Sequence, residues 1–309
     1  MECNNLFNQI LLISLSNIGD AIMTTPVLQA LHAKYPEAKI DIVADRRSSE
    51  IFLHCPYRGE IYHKEKQKLM RGALSLLKSL LKRKYGLIVD LRTDGLAYLL
   101  RADKRLTKWQ RKPYGPHAVE QHIGVISSLY GNSKIPACHI WIDENDKLFA
   151  RETLGSFANN RLLGLGPGAN WHGKIWPKER YLALTEHLKD SFDAVILLGD
   201  IYDREYSEYI SNNTKLPCMD LCGRTSLLQT AAVQELMEIF IGNDSGLGHI
   251  ASAIGTPSLT IFGPGRPDRY HPWGENSFWI EGKDKKIENV SVDDVVSLLK
   301  CNKIYSPTQ

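Results

Sequence analysis

The stretch 239-IFIGNDSGLGHIASAIGTPSLTIFG-263 decides the fold. An apolar run of strand length stops at Asp244-Ser245-Gly246, small residues and His249 follow, Gly255-Thr256-Pro257 turns the chain, and a second apolar run begins. Strand, turn, helix, turn, strand is the unit of a parallel sheet with crossover helices. Ser245 is suited to cap the helix that starts behind it, and Gly246, Gly248, Ala251, Ser252 and Ala253 keep that helix slim. Its first backbone N–H groups lack partners and form an anion site that needs no metal. His249 lies one turn further on, either packed in the core or turned to the same anion. Asp244 would repel a phosphate; at the strand's edge it is placed to accept from neighbouring backbone or from a sugar hydroxyl.

Working outward, the same alternation fills the chain. Strands are expected at 8-NQILLISL-15, 39-KIDIVA-44, around Ile61, at 86-GLIVDL-91, 161-RLLGLG-166, 194-AVILLG-199, 219–221, 239–242 and 258–263. Helices fit at about 20–34, 68–83, 117–130, 178–190, 203–213, 226–237 and 246–254, with a last one from Val292 capped by Ser291. At 309 residues the chain has about twice the length of a typical domain, so two α/β doubly wound domains are expected, residues 1–155 and 156–309, joined near 150–160.

Composition narrows the function class. Hydrophobic content of 43% and charged content of 24% are those of a soluble globular protein. Apolar stretches such as Ile10 to Leu15 fall far short of the roughly 20 residues of a membrane helix. No export signal is legible at the N-terminus, so a cytoplasmic protein is expected. The six cysteines are scattered, and Cys218 and Cys222 have no second Cys/His pair to complete a metal site. Residues 1–155 carry 23 Lys and Arg against 16 Asp and Glu, while residues 156–309 carry 15 against 19. The basic excess includes 101-RADKRLTKWQRK-112, read as a solvated surface or as a contact for an anionic membrane face through Lys108, Arg111 and Lys112.

In open α/β sheets ligands sit beyond the carboxyl ends of the strands. The turn 14-SLSNIGDAIMTTPVL-28 has a single glycine, which disfavours a dinucleotide there. It offers instead Asp20 in the first turn of a helix, as a complement to the helix dipole or as a general base. The turn 164-GLGPGANWHGKIWP-177 combines glycines that let the backbone approach a ligand with Lys174, an ammonium with three donors for phosphate oxygens. In 198-LGDIYDRE-205, Asp200 or Asp203 can accept from ribose hydroxyls or begin a helix.

These blocks resemble glycosyltransferase family 9, the ADP-heptose lipopolysaccharide heptosyltransferases. The carriers are 11-LLISLSNIGDAIMTTPVLQALHAKYPEAKIDIVA-44, 166-GPGANWHGKIWPKERYLAL-184, 223-GRTSLLQ-229, 242-GNDSGLGHIASAIGTPSLTIFGP-264 and 263-GPGRPDRYHPWG-274, in the family's order and spacing over about 10–275. The resemblance implies a GT-B fold with two Rossmann-like domains facing a central cleft, the first for the acceptor and the second for the nucleotide sugar. It implies an inverting, metal-independent enzyme, without a cofactor, that moves a heptose from ADP-heptose to a lipopolysaccharide core acceptor carrying Kdo or heptose. By position, Asp20 matches the catalytic base and Lys174 the phosphate-binding lysine. Asp244, Ser245, Gly246 and His249 match the donor signature. Ala169 and Asn170 stand where some relatives have a Thr-Thr pair, and Asp200 is preferred to Asp203 for the ribose. The implied partners are the nucleotide sugar and an anionic glycolipid at the inner face of the cytoplasmic membrane, with no nucleic acid. Another nucleotide-sugar enzyme of this architecture, or a non-catalytic binding module, stays open on the residues alone.

Overall fold

The computed structural model describes residues 7–64, 69–131 and 133–302. Residue 68, the expected start of one helix, and Cys3 lie outside the described residues. The chain divides into two compact units, Met1–Trp141 and Ile142–Gln309. Residues 142–155, read from the sequence with the first half, thus lie in the second unit, where the helix Glu144–Leu154 packs on Leu227–Glu235 through Ala150, Leu154, Ala232 and Val233.

The first unit holds strands β1 (Gln9–Ile13), β2 (Lys39–Asp45), β3 (Arg58–Lys64), β4 (Tyr85–Asp90) and β5 (Ala102–Thr107), all parallel, in the order β3-β2-β1-β4-β5. Leu11, Ile13, Val43 and Ile88 turn one face to Leu76 and Leu80 of the helix Leu69–Leu80. The second unit holds β6 (Leu162–Gly166), β7 (Ala194–Leu197), β8 (Cys218–Asp220), β9 (Ile239–Asn243), β10 (Ser258–Phe262) and β11 (Ser277–Glu281), also parallel, in the order β11-β10-β9-β6-β7-β8.

Successive strand residues point to opposite faces, and both faces of the second sheet are covered. Leu163, Leu165, Val195, Leu197, Ile239 and Ile241 pack on one side with Tyr181, Leu184, Ile210 and Val295, from three helices. Leu162, Ala194, Ile196 and Phe240 pack on the other with Leu154, Val233 and Ala251. This double burial is why these strands read as continuous apolar runs.

Four elements depart from the sequence reading. The expected helix 20–34 is two helices, Ile18–Ile22 and Thr25–Lys34. Pro26 has no N–H to return to the preceding turn, and the hydroxyls of Thr24 and Thr25 donate instead to the carbonyls of Ala21 (2.7 Å) and Ile22 (2.8 Å). The expected helix 117–130 breaks at Ile126 into Ala118–Val125 and Ser127–Tyr130. Half of the basic run 101–112 forms β5, and 277–281 forms β11; both are outermost strands that the sequence did not reveal.

Candidate active site

In the second sheet the chain runs outward from β6 through β7 to β8, then returns to the other side of β6 and runs outward again through β9, β10 and β11. The reversal lies between β6 and β9, where Gly166 pairs with Gly242. Such a switch point opens a crevice at the carboxyl ends of the two strands, because the loops that leave them diverge.

The loops at that place are tied together by one side chain. Asn243, the last residue of β9, is fully buried. Its Oδ1 accepts from the backbone N–H of Trp176 and the hydroxyl of Tyr181, both at 3.0 Å. Its Nδ2 donates to the carbonyls of Pro167 (2.8 Å) and Gly168 (3.2 Å). Two donors and two carbonyls fix the orientation of the amide and fill its hydrogen-bonding capacity. The Gly-Pro-Gly turn after β6 is thereby clamped to the end of β9. Trp176 is buried edge-to-face on Tyr181 at 4.9 Å and donates its Nε1–H to Val290, which anchors the far end of the same loop.

Between these anchors stands Lys174, whose Nζ lies 2.6 Å from Asp244 Oδ2, with Asp244 the more buried partner. The ammonium spends one of its three donors on Asp244 and keeps two for other acceptors. The turn after β10 closes over the pair, since a Cβ at Gly265 would stand 2.6 Å from Asp244 Oδ2. Ser245 caps the eight-residue helix Gly246–Ala253 by position, with extended backbone and no side-chain cap bond. Its Oγ is buried and finds no hydrogen-bond partner among the described residues. His249 is buried one turn into the helix. Gly248 serves packing: a Cβ there would come within 2.9 Å of Thr260 Oγ1 on β10.

The turn after β7 completes the edge. Asp200 is exposed and accepts from Tyr202 N at 2.7 Å, while Asp203 accepts from Asp200 N at 2.9 Å. Burial holds the Asp203 carboxyl above its ordinary range, partly offset by that backbone bond. Gly168 lies against it so closely that a Cβ would stand 1.8 Å from Asp203 Oδ1. Asp203 therefore supports the Gly-Pro-Gly turn, and Asp200 is the acid that faces solvent. Ala169 is half-buried and Asn170 exposed, in the segment between that turn and Lys174.

The first sheet reverses between β1 and β4. The loop after β1 carries Asp20 in the helix Ile18–Ile22, where Asn17 Nδ2 donates to Asp20 Oδ2 at 2.9 Å. Beneath it, Ser14 N donates to Val43 O, and the Ser14 and Thr24 hydroxyls meet at 3.0 Å. After β4, the buried Asp90 accepts from the N–H groups of Arg92 (2.9 Å) and Thr93 (2.7 Å). This holds Thr93 in the left-handed region at φ 59°, with its hydroxyl accepting from Lys108 N at 3.1 Å. Asp94 forms an ion pair with Lys64 at the end of β3 and lies 3.8 Å from Arg92 Nε. Neither Asn17, Asn243 nor this Asp90 turn was singled out from the sequence. The signal for Asn243 was a polar residue ending an otherwise apolar run.

The family model for glycosyltransferase family 9 (heptosyltransferase) matches residues 74–297. The chain belongs to this family. Lipopolysaccharide heptosyltransferase 3 of Escherichia coli (strain K12) is 24% identical over 301 residues, which cover 86% of each chain. Among solved structures, the glycosyl transferase family 9 protein from Veillonella parvula DSM 2008 matches with a TM-score of 0.86 at 22% identity, over 96% of this chain and 97% of that one. The Escherichia coli heptosyltransferase WaaC with ADP-2-deoxy-2-fluoro heptose matches with a TM-score of 0.75 at 18% identity, over 95% and 99%. The fold is accordingly GT-B, and the protein is a glycosyltransferase of family 9. The matched span takes in Lys174, Asp200, Asp244 and His249 and begins after Asp20. No helix among the described residues of this family 9 enzyme is long and apolar enough to cross a membrane.

Proposed function

We propose that the enzyme transfers a heptose from ADP-heptose to a lipopolysaccharide core acceptor, with inversion and without a metal ion. The observation that carries this reading is the convergence at the β6/β9 reversal of the clamped Gly-Pro-Gly turn, the Lys174–Asp244 pair and the helix start at Ser245. A diphosphate is met there by the two remaining Lys174 donors, by the unpaired N–H groups and by the Ser245 hydroxyl. The WaaC structure holds ADP-2-deoxy-2-fluoro heptose, an ADP-sugar whose diphosphate agrees with this chemistry.

Asp20 is assigned as the base. Its carboxylate takes the proton of an acceptor hydroxyl while that oxygen bonds to the anomeric carbon. The bond from this carbon to the terminal phosphate oxygen breaks, and ADP leaves with the electron pair. Attack from the face opposite the leaving group inverts the anomeric centre. Lys174, His249 and the helix start offset the charge that grows on the departing diphosphate, the role a metal plays elsewhere. Asn17 orients the Asp20 carboxylate. Asp200 is assigned to the ribose, and Ala169 and Asn170 replace hydroxyl contacts with backbone and amide ones. The acceptor is assigned to the carboxyl edge of the first sheet, where Lys64 and Arg92 gather around Asp94.

Calorimetry with ADP in excess chelator tests the donor site. Binding is expected with the same Kd as in the presence of divalent cation, and loss of binding on chelation would contradict the assignment of Lys174 and the helix start to the diphosphate.

A further inference from the structure

The outermost strand β5 is bordered by three large side chains that the fold leaves in solvent: Trp109 is 78% exposed, Leu99 63% and Tyr98 47%. Tyr98 and Trp109 stack with ring centroids 5.7 Å apart, so the two segments present one continuous face. Their backbones are held firmly. The Arg105 guanidinium donates to the carbonyls of Ala97 (2.9 Å), Ala102 (3.2 Å) and Leu100, pinning the one-turn helix Leu96–Leu99. Thr107 and Gln110 form a capping box around the Trp109 turn, with Thr107 N donating to Gln110 Oε1 at 2.8 Å. A solvated basic surface has no use for a Leu and two aromatics held out in this way.

The charge around them has one sign. Residues 101–112 contain six Lys and Arg and one acid, and that acid, Asp103, is paired with Lys84 at 2.6 Å. Arg101 follows Leu99 closely, and the exposed Arg111 and Lys112 follow Trp109. Trp and Tyr rings favour the headgroup level of a bilayer, a Leu side chain favours the acyl layer beneath it, and clustered cations favour an anionic leaflet. A nucleic acid would use the cations and the rings but has no place for Leu99. The face also adjoins the carboxyl end of β5, the edge of the sheet that carries Asp20.

We propose that Tyr98, Leu99 and Trp109, with Arg101, Arg111 and Lys112, form a docking face for an anionic lipid bilayer. The proposal deepens the assigned function and rests on it in one respect, that the acceptor is a glycolipid presented at such a surface.

The test is co-sedimentation of the full chain with vesicles of phosphatidylcholine alone or with about 30% phosphatidylglycerol, with no nucleotide and no glycolipid present. Partition onto the anionic vesicles is expected to be at least about tenfold stronger, and to fall as salt is raised to about 0.5 M. The double variant Leu99→Ser/Trp109→Ser, at exposed positions, is expected to lose about tenfold or more of that partition while keeping the wild-type melting temperature. Brominated acyl chains should quench tryptophan fluorescence in the wild type and not in this variant. Its kcat on a soluble, delipidated acceptor should match the wild type, an arm that fails alone if the transfer reading is wrong. Equal partition onto neutral and anionic vesicles, an unchanged double variant, or self-association through this face in place of vesicle binding would overturn the proposal.

Discussion

Asp20→Asn is expected to lower kcat for glycosyl transfer by about 10² to 10⁴, roughly 3 to 5 kcal/mol of barrier, while the Kd for ADP changes by less than about twofold. Asparagine keeps the size of the side chain and an oxygen that can accept from Asn17, so the loop after β1 should keep its shape. It cannot take a proton at neutral pH. Donor binding should be spared because the diphosphate contacts are assigned to the second unit, to the loops after β6 and β9 and the start of the helix Gly246–Ala253. If Asp20 merely complemented the dipole of its five-residue helix, the change would cost less than about 1 kcal/mol of stability and leave turnover intact. Steady-state kinetics beside calorimetry separates the two roles.

The second large effect is expected at Asn243. Asn243→Ala removes four hydrogen bonds from a fully buried site and leaves Pro167 O, Gly168 O and the Trp176 N–H without this partner. Unsatisfied buried groups make such a change cost about 3 kcal/mol or more, roughly 6 to 12 °C in Tm for a unit of this size. The same loss should weaken ADP binding by about tenfold or more, since the clamp sets the path of the loop that carries Lys174. Asn243→Asp is the sharper variant. It keeps the acceptor for Trp176 and Tyr181 but sets a carboxylate oxygen against two carbonyls, so it should fail nearly as badly despite its size. A wild-type Tm and ADP affinity in both variants would show that the clamp does not position the loop.

The parts of this arrangement that were legible in the sequence share a physical cause. Strands buried on both faces, such as β6 and β9, must be apolar throughout, and the turns between them need glycine or a capping residue, so the β9–helix–β10 unit could be read directly. Asp20, Lys174 and Ser245 lie just beyond strand ends, where ligand chemistry concentrates, and their places followed. The outermost strands β5 and β11 were hidden because one edge lacks a neighbour and the apolar pattern thins; 102-ADKRLT-107 reads as a charged surface. The break at Met23–Thr24 depends on hydroxyls capping carbonyls upstream of Pro26, a local exchange that periodicity does not register. The role of Asn243 depends on partners 62 to 76 residues away, which only the folded chain brings together.

The most direct test of the whole account is product analysis with a panel of nucleotide sugars, ADP-heptose beside UDP-hexoses, on a lipopolysaccharide core acceptor in excess chelator. Transfer of one heptosyl unit from ADP-heptose is expected, with undiminished rate and an anomeric configuration opposite to that of the donor. Preferential turnover of a UDP-hexose, retention of configuration, or donor binding with no transfer to any acceptor would contradict it.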